Sequence, residues 1–299
     1  MTRAGGGGKS THHDHETSLA LYDLTAADAA ATVIRRYSTS FGTGTRLLPR
    51  AMRSHIEAVY AMVRIGDEIV DTYRGDDARA LLDSFEREVH EAMVRGFSTN
   101  VVAHAFGNTA RAVGISREQT EPFFASMRMD LENTTHTQES FKAYVFGSAE
   151  VVGEMCLAVF VNTETGPRAL DPASREGARR LGAAYQKINF LRDLAMDDAT
   201  LGRSYFPSIT AATLTDAQLA ELVADCRDDI EAARACLAAL PRGAAVAVRT
   251  TIDIYSRLLA TIARTPAREL VCRRIRVANP VKYTLALRNS LLPQRWLVS

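Results

Sequence analysis

The stretch YAMVRIGDEIVD, residues 60–71, has the spacing of a helix with one polar face. At about 3.6 residues per turn, that face carries Tyr60, Arg64, Asp67 and Asp71. The two carboxylates lie one turn apart and repel each other, so the arrangement predicts a cationic ligand, with a hard divalent metal as the first candidate. The alternative is an exposed acidic face on which Arg64 and Asp67 form a salt bridge.

A second stretch, QKINFLRDLAMD at residues 186–197, carries a similar face over about three helical turns. Every member of this face offers an oxygen ligand or a hydrogen-bonding amide: Gln186, Asn189, Asp193 and Asp197. Glu and Lys are better helix formers on a solvated face, so the choice of Asn and Gln favours a binding site. Two such faces opposite each other predict a site for several Mg²⁺ ions that also bind the phosphate oxygens of a diphosphate.

The rest of the chain also has helical periodicity, without the alternation that is typical of strands. The predicted helices span residues 26–38, 50–74, 77–95, 100–113, 117–134, 138–161, 173–199, 216–240, 243–265 and 280–290. The linkers are short and no internal repeat is present, so we expect one all-α domain over residues 21–299. The Gly-rich segment 1–20 is predicted to be a disordered tail.

Composition excludes several classes of function. The 36 basic and 35 acidic residues give a net charge of +1, which argues against a nucleic-acid-binding protein. The sequence contains no run of about 18 apolar residues, so we expect no transmembrane helix. The four cysteines lack the CxxC spacing of a zinc site and are predicted to be reduced core thiols of a cytoplasmic protein: Cys156, Cys226, Cys236 and Cys272.

The two aspartate stretches resemble the signature segments of the squalene/phytoene synthase family of head-to-head prenyl synthases. Three further segments are similar to that family: YSTSFGTGTRLLP from Tyr37, AYVFGSAEVVGEM from Ala143, and RRIRVANPVK, which ends at Lys282. The resemblance spans nearly the whole helical region and is strongest to bacterial phytoene synthases. It implies a single-domain isoprenoid-synthase-type helical bundle around a central cavity.

The resemblance also implies roles for individual residues. The implied metal ligands are Asp67, Asp71, Asn189, Asp193 and Asp197, with Mg²⁺ as the metal and Mn²⁺ as a substitute. The implied diphosphate contacts are Ser38, Ser40, Arg64, Gln186, Asn189, Arg203 and Arg274. The implied catalytic residues near the reacting carbons are Phe41, Tyr60, Arg64 and Tyr255. The implied lining of the prenyl channel includes Thr45, Ala149 and Gly153.

The activity implied by the resemblance is that of a phytoene synthase of carotenoid biosynthesis. Such an enzyme condenses two geranylgeranyl diphosphates through prephytoene diphosphate and needs no NADPH. Small residues after Phe41 favour this longer substrate, but a squalene or dehydrosqualene synthase acting on farnesyl diphosphate is the alternative. A di-iron carboxylate bundle would need Glu-x-x-His motifs, which the sequence lacks. A noncatalytic helical protein would be expected to have lost the aspartates.

Basic residues are concentrated near the C-terminus. From Arg264 to Arg295 there are eight basic residues and one acidic residue, Glu269. This asymmetry favours peripheral contact with anionic lipid at the inner face of the cell membrane, where a lipidic substrate would be found. The same charges are also compatible with closing a diphosphate pocket.

Overall fold

The structure, a computed structural model, describes residues 18–201 and 203–291, although not the side chains of residues 195–201. Most of the predicted tail, residue Arg295 and the side chain of Asp197 therefore lie outside the described residues. Within them the fold is all-α, as predicted, and the one strand-like pairing is an isolated bridge between Thr135 and Ser204.

The helices follow one another through short connections. They are α1 Leu19–Tyr37, α2 Ser40–Thr45, α3 Arg50–Asp71, α4 Ala78–Arg95, α5 Val101–Val113, α6 Arg117–Glu132, α7 Gln138–Val145, α8 Val151–Asn162, α9 Pro172–Leu201, α10 Asp216–Ala235, α11 Arg242–Ile262, α12 Ala267–Leu270 and α13 Asn279–Leu291. A π-helical segment, Phe146–Glu150, joins α7 to α8, and a short 3-10 segment, Leu237–Ala239, follows α10. Every predicted helix is present, but α1 begins earlier than expected, and the short helices α2 and α12 were not predicted.

Local side chains define where several helices begin and end. Ser116 and Thr215 each accept a hydrogen bond from the first turn of the helix that follows, and the backbone N–H of each donates to the Oε1 of a Gln three residues later. At the other end, Gly96 and Gly114 take a left-handed conformation with φ of 80°. The predicted ends of these two helices, at residues 95 and 113, are confirmed.

Two hydrophobic cores flank the centre of the bundle. The first forms around α3, where Ile56 and Met62 pack with residues of α5, α6 and α8. The second forms around α9, where Ile188 and Leu191 pack with residues of α10 and α11. Each aspartate helix therefore buries an apolar face in its own core, and both helices contribute residues to a cavity between the cores.

The face of α9 that points away from the cavity is fixed to α10 by buried charges. Lys187 bonds to both Asp225 and Asp229, and Arg180 Nε lies 2.7 Å from Asp229 Oδ1. Asp229 is almost fully buried, so removal of its cationic partners would leave an uncompensated charge in the interior. This network holds α9 against α10 on the side away from the cavity.

The segment Gln138–Asn162 is long and apolar enough, by length and composition, to span a membrane. Its residues nevertheless pack within the bundle, and Val151, Met155 and Val159 belong to the first core. Core helices of soluble proteins pass the same test, so the observation is weak evidence for a membrane span.

The expectation that all four cysteines are core thiols is wrong for Cys272. This residue is exposed on the segment after α12, whereas Cys226 is buried between α10 and its neighbours. Burial raises the pKa of the Cys226 and Cys156 thiols to about 12. Both are therefore protonated and unreactive at neutral pH.

Buried histidines predict how stability depends on pH. His90 Nε2 lies 2.9 Å from Thr120 Oγ1, and burial lowers the pKa of this imidazole below its usual value of 6.5. The unfolded chain then binds more protons than the folded chain at acidic pH, so stability should fall as the pH drops below about 6.5. We expect His90→Gln to reduce the shift in melting temperature between pH 7.5 and pH 5.5. An unchanged shift would contradict this assignment. Part of the shift should remain, because burial also lowers the pKa values of His55 and His136.

Candidate active site

A cavity of about 570 Å³ lies between α3 and α9. One end is polar and close to the surface, where Tyr37 and Arg274 are exposed. The polar lining residues are Tyr37, Ser38, Thr39, Ser40, Arg64, Asp67, Gln186, Asn189, Arg192, Asp193 and Arg274. The other end is mainly apolar, with Val152, Cys156, Leu157, Phe160, Leu181, Leu237 and Leu240 in its lining. The cavity therefore joins a charged compartment to an apolar one.

The first aspartate stretch contributes an acidic group and a guanidinium to the polar end. Asp67 lines the cavity, and burial together with the neighbouring Asp71 raises the pKa of its carboxyl to about 8. Arg64 lies 4.0 Å from Asp67, bonds to Glu68, and places its guanidinium 4.5 Å from the centre of the Tyr37 ring. The salt bridge of the alternative interpretation is thus present but long, and Asp67 lies in a cavity instead of on an open face.

The second aspartate stretch places Asp193 between two arginines. Arg274 Nε lies 2.7 Å from Asp193 Oδ1, and Arg192 Nε donates to the same oxygen at 3.0 Å. Arg192 lines the cavity but was missed from the sequence, because neighbours in a helix do not share an idealised face. Its position directly before the motif aspartate was the available signal.

Arg203 and Asp71 have a different setting from the one expected. Neither is part of the cavity lining, and Arg203 Nη1 donates instead to Asp71 Oδ1 at 2.6 Å. The Arg203 side chain is only 8% exposed, in a smaller neighbouring pocket. The structure places this arginine outside the cavity, bonded to the second aspartate of the first stretch. A diphosphate contact from Arg203 stays a prediction.

Two pairs of aromatic rings line the cavity beside the polar end. Phe41 stacks on Tyr60 with ring centres 5.9 Å apart, and Tyr185 stacks on Tyr255 at 3.9 Å. The Tyr255 hydroxyl donates to Asn189 Oδ1 at 3.5 Å, which connects the second pair to the oxygen-rich face of α9. Tyr185 was not predicted as a site residue, although it directly precedes Gln186, the first residue of the quoted stretch.

The family-like segment that starts at Tyr37 folds as the end of α1 and the short helix α2. The Ser38 hydroxyl accepts a hydrogen bond from the Gly42 amide at 3.4 Å, and Ser40 begins α2. Lys282 Nζ donates to Thr39 Oγ1 at 2.9 Å, so the C-terminal helix is tied to the same edge of the cavity. The sequence pattern had indicated each of these segments separately but not their contact.

The small residues predicted to form the channel divide into two kinds. Thr45 and Ala149 are buried and line the cavity. Gly153 also borders it, but a Cβ on Gly153 would lie 2.2 Å from the Ala178 carbonyl oxygen. The close crossing of α8 and α9 is therefore what requires glycine at this position.

This contact predicts the effect of Gly153→Ala. Because the new methyl group would overlap backbone, the helices must separate, and we expect a loss of about 1–3 kcal/mol in unfolding free energy. Gly42→Ala is the matched control, since its Cβ would have no neighbour closer than 4.0 Å. Thermal denaturation of both variants provides the measurement. A Gly153→Ala protein as stable as the control would show that the crossing tolerates the methyl group.

Comparison with known proteins identifies the family. Residues 34–280 match the sequence profile described as squalene/phytoene synthase. The chain belongs to the squalene/phytoene synthase family. A 15-cis-phytoene synthase from Synechococcus elongatus is 32% identical over 198 residues, which cover 64% of each chain. A presqualene diphosphate synthase from Rhodopseudomonas palustris is 29% identical over 172 residues, 57% of this chain and 58% of the relative. In these alignments the chain spans less than two thirds of the relatives' length.

Solved structures of similar proteins support the fold assigned to this member of the squalene/phytoene synthase family. A squalene synthase from Alicyclobacillus acidocaldarius has a TM-score of 0.72 at 23% identity, over 82% of this chain and 95% of that one. A dehydrosqualene synthase solved with a ligand has a TM-score of 0.74 at 19% identity, over 90% and 97%. The predicted isoprenoid-synthase-type helical bundle is thereby confirmed.

The squalene/phytoene synthase family depends on divalent metal, and the polar end of the cavity fits such an ion. Its donors include the carboxylate oxygens of Asp67 and Asp193 and the amide oxygen of Asn189, which are hard ligands of the kind Mg²⁺ takes. Burial and the neighbouring Asp71 raise the pKa of Asp67, so a cation bound beside it would stabilise the ionised carboxylate. Among the described side chains, no group of three or more His, Cys, Asp or Glu forms a complete metal cage. The oxygen donors of Asp67, Asp193 and Asn189 suit an ion that also binds phosphate oxygens and water.

Proposed function

We propose that this protein is a Mg²⁺-dependent prenyltransferase that condenses two geranylgeranyl diphosphates head to head, through prephytoene diphosphate, to phytoene. The observation that carries the proposal is a continuous cavity that joins an end rich in oxygen ligands and arginines to an apolar interior. A prenyl diphosphate has the same division, with a charged head and a hydrocarbon tail. The 15-cis-phytoene synthase among its relatives supports this product.

The depth of the cavity supports the longer substrate. Residues of α9 from Ser174 to Asp193 line it at helical spacing, and at 1.5 Å per residue they span about 28 Å. An extended chain advances roughly 1.2 Å per bond, so a geranylgeranyl chain reaches roughly 18 Å and a farnesyl chain roughly 13 Å. The cavity has room for the longer tail beyond its diphosphate.

The side chains around the polar end have separate tasks in this reaction. Arg64, Arg192 and Arg274 provide guanidinium groups that bind a departing diphosphate. The ring faces of the Phe41–Tyr60 and Tyr185–Tyr255 pairs stabilise the allylic cation without attacking it, and the apolar lining keeps water away from it. Bound Mg²⁺, with Mn²⁺ as a substitute, would supply further positive charge to the leaving group.

A second candidate is squalene or dehydrosqualene formation from farnesyl diphosphate. The presqualene diphosphate synthase relative and the dehydrosqualene synthase of similar fold support this alternative. Squalene formation needs a hydride from NADPH, whereas phytoene formation does not. Purified protein should therefore be incubated with Mg²⁺ and each diphosphate, with and without NADPH, and the extracted hydrocarbon identified. Efficient turnover of farnesyl diphosphate alone would exclude the phytoene proposal.

The C-terminal helix supports a peripheral membrane contact for the same enzyme. Tyr283, Leu287 and Leu291 recur every four residues on α13 and are 54%, 64% and 75% exposed. Exposed Arg276 and Arg288 lie nearby in the chain, which suits an anionic bilayer. Because Lys282 of this helix bonds to Thr39 at the cavity edge, a bound membrane would lie close to the cavity.

Flotation with vesicles tests this contact. We expect the protein to float with vesicles containing anionic phospholipid, and Leu287→Glu to reduce the floating fraction several-fold because it adds charge to the apolar face. Leu24→Glu, at a similarly exposed leucine on α1, is the matched control. Equal flotation of the two variants would exclude α13 as the contact.

A further inference from the structure

Arg203 lies outside the cavity but bonds to the first aspartate helix. Its Nη1 donates to Asp71 Oδ1 at 2.6 Å, and its Nη2 donates to the Val70 carbonyl oxygen at 3.1 Å. The guanidinium therefore holds both the side chain and the backbone at the end of α3. These contacts join residues more than 130 positions apart, so they fix the end of α3 to the segment after α9.

Arg203 also lies close to a buried carboxylate on α6. Asp130 Oδ1 lies 3.6 Å from Arg203 Nη1, and the Asp130 side chain is only 5% exposed. Tyr144 donates its hydroxyl proton to Asp130 Oδ2 at 2.9 Å. The Tyr144 ring packs in turn against Tyr205, with ring centres 5.4 Å apart. Asp130 is thus fixed by α7, and it orients Arg203.

The backbone beside Arg203 is also restrained. The Ser204 amide donates to the Thr134 carbonyl oxygen at 2.8 Å, and Ser204 pairs with Thr135 in the isolated bridge. The arginine therefore projects from a segment that is anchored to the loop after α6. An arginine whose backbone and guanidinium are both restrained can fix the geometry of the carboxylate that it contacts.

We propose that Arg203 and Asp130 are positioning residues that orient Asp71 as a ligand of a divalent metal. Arg203 binds Asp71 through Oδ1, so the proposed metal contact would use Oδ2, one helical turn from Asp67 in the cavity lining. The inference rests on the metal site of the proposed function and assigns Arg203 a role other than binding diphosphate. Groups behind a metal ligand typically change metal affinity by about 10- to 100-fold when they are replaced.

Metal and diphosphate binding should be measured separately to test this role. The first variant is Arg203→Lys, which keeps the positive charge but loses the paired N–H donors of the guanidinium. The second is Asp130→Asn, which keeps the shape of the side chain but loses its negative charge. The probes are Mn²⁺ alone, followed by electron paramagnetic resonance, and inorganic diphosphate, followed by calorimetry. Arg74→Gln is the control, because Arg74 lines the same small pocket as Arg203. Melting curves establish that each variant is folded.

We expect both variants to bind Mn²⁺ about 10- to 100-fold more weakly than the control. Unchanged Mn²⁺ affinity with weakened diphosphate binding would overturn the inference and restore Arg203 as a diphosphate contact. If neither variant folds, Tyr144→Phe provides the test, because it removes the hydroxyl that bonds to Asp130. Several-fold weaker Mn²⁺ binding by this variant supports the inference, and unchanged binding overturns it. Failure of the wild-type protein to bind Mn²⁺ would overturn the proposed metal site together with this inference. Wild-type binding with unaffected variants would overturn the inference alone.

Discussion

Asp67→Asn should lower kcat/KM for geranylgeranyl diphosphate by about 10²- to 10³-fold, the loss typical of removing one group that stabilises charge in a transition state. Asp67 is the carboxylate of the first aspartate stretch that lines the cavity. The substitution keeps the size of the side chain but removes the negative charge that would hold a divalent ion beside the departing diphosphate. Steady-state kinetics at saturating Mg²⁺ measure the effect.

The same substitution should not reduce folding stability. Burial and repulsion from Asp71 raise the pKa of Asp67, so its carboxylate is unfavourable in the folded protein and an uncharged amide relieves that cost. The melting temperature of Asp67→Asn should therefore equal or exceed that of wild type. Asp76→Asn, at an exposed position after α3, is the matched control and should leave both activity and stability unchanged. Full activity in Asp67→Asn would remove Asp67 from the proposed site.

Leu181→Trp should reduce kcat/KM for geranylgeranyl diphosphate by about 10²-fold relative to farnesyl diphosphate, since pocket contacts of this kind discriminate by roughly 10- to 200-fold. Leu181 lines the cavity twelve residues before Asp193, which places it about 18 Å along α9. Because each tail begins beyond the diphosphate, a farnesyl tail of roughly 13 Å ends near that point, whereas a geranylgeranyl tail of roughly 18 Å passes it. An indole would block the end of the longer tail.

The ratio of the two substrates is the informative measurement, because a general loss of activity would affect both. Leu181→Met conserves side-chain volume and should leave the ratio unchanged. A tryptophan variant with the wild-type ratio would show that the prenyl tail does not follow α9. Loss of turnover with both substrates, in a protein that still melts cooperatively, would place the diphosphate end of the substrate nearer to Leu181 than proposed.

Local features of the sequence predicted most of the helices. Apolar spacing and capping residues act over one or two turns, so they can be read without knowledge of contacts. The predicted helix ends at residues 95 and 113 are confirmed, and a glycine directly follows each of them. The short helix α2 was missed because Gly42 and Gly44 weaken any helical propensity in so short a segment.

The candidate site was predicted only as far as the faces of single helices allow. The spacing of Asp67 with Arg64 and of Asp193 with Asn189 is a property of α3 and α9, and all four residues line one cavity. The pairing of Tyr185 with Tyr255 joins two helices, and the approach of Gly153 to Ala178 joins two others. Contacts between distant segments depend on packing, so they could not be read from spacing.

The sequence by itself determined the all-α fold and the family, because helical periodicity and the two aspartate stretches are local patterns. Only the tertiary structure decided that Arg203 binds Asp71, that Arg274 binds Asp193, and that the cavity continues along α9 as far as Ser174. The physical reason is that a guanidinium binds whichever carboxylate the folded chain brings within hydrogen-bonding distance. Sequence spacing fixes which side chains share a helix, and packing fixes which of them meet.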